Sequence, residues 1–322
     1  MTRWGVLGAG SVARRRVMPA MMAHPSCQLQ ALMVRDLERA GQLAAEFGAA
    51  HHYDQVEDLL ADSAVDAVYI SSPVHLHCEH VLAAAASGKH VFCEKPMALT
   101  ADECHRMINA CADAGVHLEI CFVLRGWPIY HQVKQLLDEG RLGQVVQLRA
   151  HLAKWTPRKK DEWRLDPRQG GGGTLIDAGS HYLDLFRFLI GDIARIACMG
   201  SSAVFDWEVE ESAYALVQFK SGAHAMLTAS CTIPHGGNVL EIYGTEGTLL
   251  LGSELRIVTA AGEEVLPAVF PDYYSGLLDH FCRCVDEGGN ALASGLDGLR
   301  NTEAIQAAYR SLKEGRILEV PA

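Results

Sequence analysis

The chain lacks any apolar run long enough for a bilayer: stretches such as "AVDAVYISS" fall well short of the roughly twenty residues a membrane helix needs. It is also short of positive charge. With 28 Lys and Arg against 39 Asp and Glu, a net −11, it lacks the basic surface that phosphate neutralisation requires, which argues against a nucleic-acid partner. Only Arg14 to Arg16 and Arg158 to Lys160 cluster, as local anion sites at most. The ten cysteines contain no C-x-x-C, so neither a disulfide framework nor a zinc motif is written in their spacing. Buried free thiols are expected, and no metal site. No basic segment, apolar stretch and cleavage site precede the first strand in "MTRWGVLGAG", from which a cytoplasmic protein without membrane attachment is expected. Repeats and low-complexity linkers are absent too. A chain of 322 residues can remove about three quarters of its unfolded surface from water, and two domains are the natural expectation.

What is present divides into two textures. Up to about residue 120, "RWGVLG", "LQALMV", "DAVYISS", "HVFCEK" and "HLEICFV" read as strands separated by helical stretches such as "LERAGQLAAEFG". Strands apolar on both faces and joined by helices form a parallel sheet covered on both sides. From about residue 125, "VVQLRAHLAK", "SAYALVQFK", "AHAMLTASC" and "NVLEIYG" alternate and are linked by glycine-bearing turns, as an antiparallel sheet would be. Helices expected at Ser180 to Leu189, Tyr274 to Val285 and Asn301 to Leu312 would pack on one face of it, leaving the other for a subunit contact. The expectation is an α/β Rossmann domain over 1–122 and an α+β domain with an open, predominantly antiparallel sheet over 123–322.

Directly after the first strand, "GVLGAGSVA" places Gly8, Gly10 and Ala13 where a tight turn lets backbone approach a pyrophosphate at a helix N-terminus, with Ser11 and Val12 opening that helix. An NAD site usually carries an acid at the end of the second strand. Here "LMVRDLERA" offers Val34, then Arg35, whose guanidinium can bond a ribose 2′-phosphate that a carboxylate would repel. NADP is therefore the expected cofactor, with NAD possible if Asp36 substitutes for the acid rather than capping the next helix.

Further along, "HVFCEKP" puts Glu94 and Lys95 beyond the carboxyl end of a strand, where open parallel sheets bind ligands. In "TLIDAGSHYLDLF", Asp177, His181 and Asp184 share one helix face. That stripe fits a metal site, proton transfer or a satisfied polar patch in a core.

Taken together, "GAGSVA", "VDAVYISSPVHLHCEHVLAAAASGKHVFCEKPMALT", "GGGGTLIDAGSHYLDLFRFLIGD" and "EIYGTEGTL" resemble the Gfo/Idh/MocA family of dehydrogenases along almost the whole chain. The Glu-Lys-Pro and Asp-x-Gly-x-His-x-x-Asp elements are the most specific. The resemblance implies two domains with the active site between them, Lys95 and His181 contacting the reacting hydroxyl or carbonyl, and Asp177 as a further polar member; Asp184 would hold its helix in place. It also implies cofactor contacts from Ser72, Pro73, His77, Glu94 and Arg125, although Val74 and Val123 stand where many members carry Asn. The segment "KWTPRKKDEWRLDPRQGGGG" borders the substrate in similar proteins, so Trp155 or Trp163 would stack on a sugar ring while Arg158 and Arg164 bind its polar groups. "WGVLGAG", "GWP" and "EWRLDP" are similar to the NADPH-linked anhydrofructose-reductase branch without fixing the substrate. The implied activity is hydride transfer between a nicotinamide and a sugar, polyol or related carbonyl compound, in a homodimer or homotetramer joined through the open sheet face. A redox-assisted glycosidase and a non-catalytic dinucleotide sensor are the alternatives.

Overall fold

Six short strands, β1 (Thr2–Leu7), β2 (Cys27–Met33), β3 (His51–Tyr53), β4 (Ala67–Ile70), β5 (His90–Glu94) and β6 (Leu118–Cys121), form one parallel sheet in the order β3-β2-β1-β4-β5-β6. The order reverses between β1 and β4, which opens a crevice at the carboxyl ends. The computed structural model describes residues 1–160, 162–268 and 274–321. It holds two compact units, Met1–Gly126 with Pro271–Thr302, and Trp127–Phe270 with Glu303–Ala322.

In the first unit β4 is buried along its whole length, as expected of a strand covered on both faces. Leu7, Val68, Ile70 and Val91 meet the helices His77–Ala86 and Ala101–Asp113 through Val81, Ala84, Cys104 and Met107. A capping box starts the second of these helices: Thr100 Oγ1 accepts from the Glu103 amide at 3.2 Å and Glu103 returns a carboxylate to the Thr100 amide at 3.0 Å. The short β3, with two exposed histidines, carries no apolar run for a sequence pattern to detect.

The helix Ser275–Glu287 also belongs here, not on the antiparallel sheet as expected. Its Phe281 ring lies 4.8 Å from Trp4 and 5.4 Å from Phe92, on β1 and β5. An amphipathic pattern announces a buried face without saying which sheet covers it, and here two aromatic rings of the parallel sheet do so.

In the second unit β7 (Val145–Trp155), β8 (Ile193–Ser201), β9 (Ser212–Phe219), β10 (His224–Ser230), β11 (Thr232–Gly244), β12 (Gly247–Leu251), β13 (Leu255–Thr259), β14 (Gly262–Leu266) and β15 (Leu318–Glu319) form a nine-stranded sheet ordered β14-β13-β12-β11-β7-β10-β9-β8-β15. Only the β7 and β10 pairing is parallel. Along β9, Ala213, Ala215 and Val217 are buried, and Tyr214 and Leu216 face out at 47% and 58% exposure. Among the described residues no helix is long and apolar enough to cross a membrane. All ten cysteines are free and eight of them are buried.

Candidate active site

At the carboxyl end of β1 the backbone turns at Gly8, whose φ of +85° favours glycine. A Cβ there would sit 3.0 Å from the Ser72 amide nitrogen and 3.2 Å from the Ser71 carbonyl, so the turn and the loop after β4 lie backbone to backbone. The Ser71 hydroxyl donates to the Gly8 carbonyl at 2.6 Å and fixes that approach. A helical segment begins at Ser11, with a π-helical turn at Ala13–Val17. Gly10, Ser11 and Val12 are exposed at its start, where the first amides have no acceptor within the helix. A glycine cradle feeding an open helix N-terminus fits a pyrophosphate.

The loop after β4 is tied to the residues after β5. His77 is 1% exposed, with Nε2 2.9 Å from the Ser72 carbonyl and Nδ1 3.0 Å from that of Pro96. Burial pushes its pKa down to about 4 against those hydrogen bonds, so near neutral pH the uncharged ring donates to one carbonyl only. Ser72 Oγ lies 3.0 Å from His80 Nδ1, and Pro73 precedes a short 3₁₀ turn. His77 thus brings the Ser72–Pro73 loop and the Glu94–Lys95–Pro96 element together and engages its own ring in doing so. Glu94 accepts from the buried Tyr69 hydroxyl at 2.6 Å; burial raises its pKa, and the Tyr69 bond and the Lys95 charge oppose the rise. Lys95 is half-buried and joined by a cis peptide to Pro96, after which Met97 and Ala98 are buried.

At the end of β2, Arg35 is exposed. Asp36 accepts from the Arg39 amide at 3.0 Å and caps the helix Leu37–Phe47. Arg125, beyond β6, is 5% exposed and directed inward, donating from Nη1 to the Leu292 carbonyl at 3.1 Å and from Nη2 to Asp297 at 2.9 Å.

In the second unit the polar stripe begins in a π-helical turn, Leu175–Gly179, and continues into the helix Ser180–Ile190. Asp177 and His181 are half-buried and Asp184 is fully buried. The glycine run before them is close-packed. A Cβ on Gly172 would meet the Tyr309 hydroxyl at 2.0 Å, and one on Gly173 the Glu210 carbonyl at 1.9 Å. Glu210 explains the crowding, because its carboxylate accepts from the Gly173 and Leu175 amides at 3.0 and 2.8 Å and from Tyr309 at 2.9 Å. It thereby satisfies the start of the segment carrying Asp177 and His181. Burial pushes the Glu210 pKa up, and these three donors oppose the rise. "EVEES" gives no sequence signal for such a role.

Arg158 pairs with Asp177 and also with Glu162 at 3.3 Å; Arg164 Nε approaches Asp177 at 3.9 Å while its guanidinium covers Trp163 at 4.3 Å. The second unit therefore gathers Arg158, Trp163 and Arg164 around Asp177. Trp155 stands apart from these contacts, 51% exposed, against Phe205 at 4.9 Å, which in turn stacks on Trp207 at 4.7 Å. With Pro234 and His235 it lines an open cavity of about 500 Å³. Phe205 and Trp207 were not singled out from sequence, although two aromatics in the acidic stretch "VFDWEVEE" offered a signal. In the first unit the half-buried Lys95 offers an ammonium donor able to polarise a carbonyl, and in the second an imidazole and a carboxylate paired with arginine are equipped to move a proton.

Residues 2–122 match the family model described as oxidoreductase family, NAD-binding Rossmann fold, and residues 130–250 match the GFO/IDH/MocA C-terminal domain. The chain is 31% identical over 331 residues to the 1,5-anhydro-D-fructose reductase of Ensifer adhaerens, covering 99% of each. To the D-xylose 1-dehydrogenase (NADP(+)) 2 of Haloferax volcanii it is 30% identical over 327 residues, covering 98% of this chain and 99% of that one. The crystal structure of aldose-aldose oxidoreductase from Caulobacter crescentus, complexed with glycerol, matches with a TM-score of 0.91 at 28% identity over 99% of both chains. The glycine cradle, the order of the parallel sheet and a match running nearly end to end agree, and the chain belongs to the Gfo/Idh/MocA family of NAD(P)-dependent oxidoreductases acting on CH–OH and C=O groups.

Proposed function

We propose that the protein is an NADP(H)-dependent dehydrogenase or reductase of a sugar, polyol or related carbonyl compound, with Lys95 and His181 in the proton-transfer chemistry and Asp177 beside them. The observation that carries the cofactor choice is the end of β2. Val34 stands at the acid's usual place, Arg35 is exposed next to it, and Asp36 is occupied as a helix cap. A hundredfold preference for NADPH over NADH needs about 2.7 kcal/mol, within reach of one or two charge-assisted phosphate bonds. The names of the reductase and xylose dehydrogenase relatives support the substrate class.

Gly8, Gly10, Ser11 and Val12 would hold the pyrophosphate, Arg35 the 2′-phosphate, and Ser72, Pro73 and Glu94 the approach to the ring. The nicotinamide supplies or accepts the hydride. Lys95 donates a hydrogen bond to the substrate oxygen and stabilises charge that develops there. His181 takes the proton of that oxygen in oxidation and returns it in reduction. Asp177 binds a substrate hydroxyl or orients the imidazole, and Arg158, Arg164 and either Trp163 or Trp155 bind the rest of the substrate.

In the second unit Leu216 lies opposite Met226 and Tyr214 opposite Met199, and all four are exposed. Such an apolar patch on the outward sheet face supports a homodimer or homotetramer joined there.

A panel of sugars, polyols and ketoses assayed with NADPH, NADH and their oxidised forms tests the whole reading. Turnover with NADPH well above NADH is expected, and Arg35→Ala should erase the difference. His181→Ala and Lys95→Ala should each lower kcat about a hundredfold or more with cofactor affinity nearly intact. Preference for NADH in the unmodified protein would defeat the cofactor assignment, and unaltered turnover would remove either residue from the chemistry.

A further inference from the structure

The first unit contains a second group of ionisable side chains, far from glycine turn and Glu-Lys-Pro element in sequence. Glu119 on β6 and His117, immediately before the strand, are two positions apart, the spacing that puts side chains of extended chain on one face. His280 and Cys284 are four apart on the helix Ser275–Glu287 and share one helix face. Packing of that helix brings the two pairs together. His117 Nε2 lies 3.1 Å from Glu119 Oε2, His280 Nδ1 lies 3.4 Å from the same oxygen, and Cys284 Sγ lies 3.7 Å from His280 Nδ1. Donor atoms of His117, Glu119 and Cys284 all fall within 4.8 Å of one another.

Two observations separate this group from an ordinary charged cluster. Glu119 is 0% exposed, and its second oxygen, Oε1, is buried without a hydrogen-bond partner among the described residues. A buried carboxylate with an unused oxygen calls for a further positive partner. The spacing is the second: ligand atoms bound tetrahedrally at zinc distances stand about 3.3–3.7 Å apart, and the 3.4 and 3.7 Å separations at His280 fall in that range while those of His117, Glu119 and Cys284 close to within 4.8 Å. His280 and Cys284 are only half-buried, which leaves an entrance.

We propose that His117, Glu119 and Cys284, with His280 as fourth ligand after a side-chain rotation, bind one divalent ion of the zinc type, at a site distinct from the hydride-transfer residues. Two imidazoles, a carboxylate and a thiolate form a mixed N/O/S set suited to a borderline-soft ion rather than to Mg²⁺ or Ca²⁺. With the thiol deprotonated, the two negative charges cancel those of the ion and the buried centre becomes neutral. The ion would fasten the helix Ser275–Glu287 to the edge strand β6.

The test uses the full chain, stripped with chelator and titrated with Co²⁺ and Zn²⁺. One equivalent of Co²⁺ should bind, giving tetrahedral visible bands and a near-ultraviolet thiolate charge-transfer band, and one equivalent of Zn²⁺ should displace it. Cys284→Ser should abolish the charge-transfer band and weaken Zn²⁺ retention against a chromophoric chelator at least tenfold, with turnover within twofold of the unmodified protein. Cys282→Ser is the control, since Cys282 Sγ lies 3.6 Å from Cys27 instead, and it should leave the band intact. Glu119→Gln and His117→Ala should lose stoichiometric binding, with circular dichroism checking their fold. No stoichiometric uptake by the unmodified protein, or a thiolate band that survives Cys284→Ser, overturns the proposal.

Discussion

Arg125 is a cofactor ligand on the family resemblance, yet its guanidinium bonds the Leu292 carbonyl and Asp297, and Asp297 also accepts from the Ser294 amide and hydroxyl at 2.9 and 2.8 Å. Arg125→Ala separates the roles. Removing one partner of a buried pair costs about 3–5 kcal/mol. The Asp297 side chain keeps 22% exposure and its Ser294 bonds, which places this case near the lower end, about 3 kcal/mol, or a 150-fold change in the opening equilibrium. Hydrogen exchange read by mass spectrometry should show that loss in peptides spanning 118–126 and 292–302. The effect carries a pH signature. Burial raises the Asp297 pKa, but Arg125 and the Ser294 donors outweigh it and hold the carboxyl below its ordinary range. A depressed carboxylate contributes stability that is full above its unfolded pKa, about 3.9, and is lost as pH falls through the folded value. The gap between the unmodified protein and Arg125→Ala should therefore be constant above about pH 5 and close below about pH 4. Unchanged protection together with a thirtyfold or greater loss of NADPH affinity would refute this reasoning and make Arg125 a cofactor residue.

Three further outcomes are expected. Gly8→Ala forces a Cβ toward Ser72 at positive φ and should cost about 1–2 kcal/mol from the backbone alone, with at least a tenfold loss of NADPH affinity by fluorescence titration; unchanged affinity and melting temperature would count against the cradle. Glu210→Gln keeps an acceptor for the Gly173 or Leu175 amide but weakens the set, and should lower kcat about tenfold with cofactor affinity unchanged, whereas full activity would release Glu210 from positioning the segment with Asp177 and His181. The unmodified protein should have the mass of an oligomer in light scattering and Leu216→Glu with Met226→Glu that of a monomer; an oligomeric mass unaltered in the variant would direct the proposed subunit contact elsewhere.

Local rules were legible where one stretch of chain carried the whole signal. The Gly8 turn is written in consecutive residues, and β4 and β5 show as apolar runs because both faces are buried. Alternation along β9 and β10 marked the half-exposed second sheet. Long-range packing was not legible. Glu210 lies 37 positions from the amide of Gly173, and nothing in either segment names the other. Glycine serves both mobility and close approach, and at Gly172 and Gly173 only the Tyr309 and Glu210 atoms beside them decide between the two. The helix Ser275–Glu287 had a clear apolar face and no indication of its partner, so chain order suggested the nearer sheet in sequence while Trp4 and Phe92 held it.

The pairing of Arg158 with Asp177 reaches furthest into the chemistry, because it joins a predicted substrate residue to a predicted catalytic one across 19 positions. Asp177 keeps 39% side-chain exposure and Arg158 21%, so solvent screening limits the pair to about 0.5–1 kcal/mol of fold stability. The larger consequence is positional. Arg158 also holds Glu162, and Arg164 reaches Asp177 from the same loop, so Asp177 anchors the loop that bears the sugar-binding candidates. If the anchoring matters to binding, Arg158→Ala and Asp177→Asn each disrupt one arrangement, and their effects on kcat/KM overlap instead of adding. A double-mutant cycle should give a coupling of about 1 kcal/mol, with Arg158→Ala raising KM several-fold more than it lowers kcat. Strict additivity would mean that the ion pair forms without the substrate and plays no part once the substrate is bound.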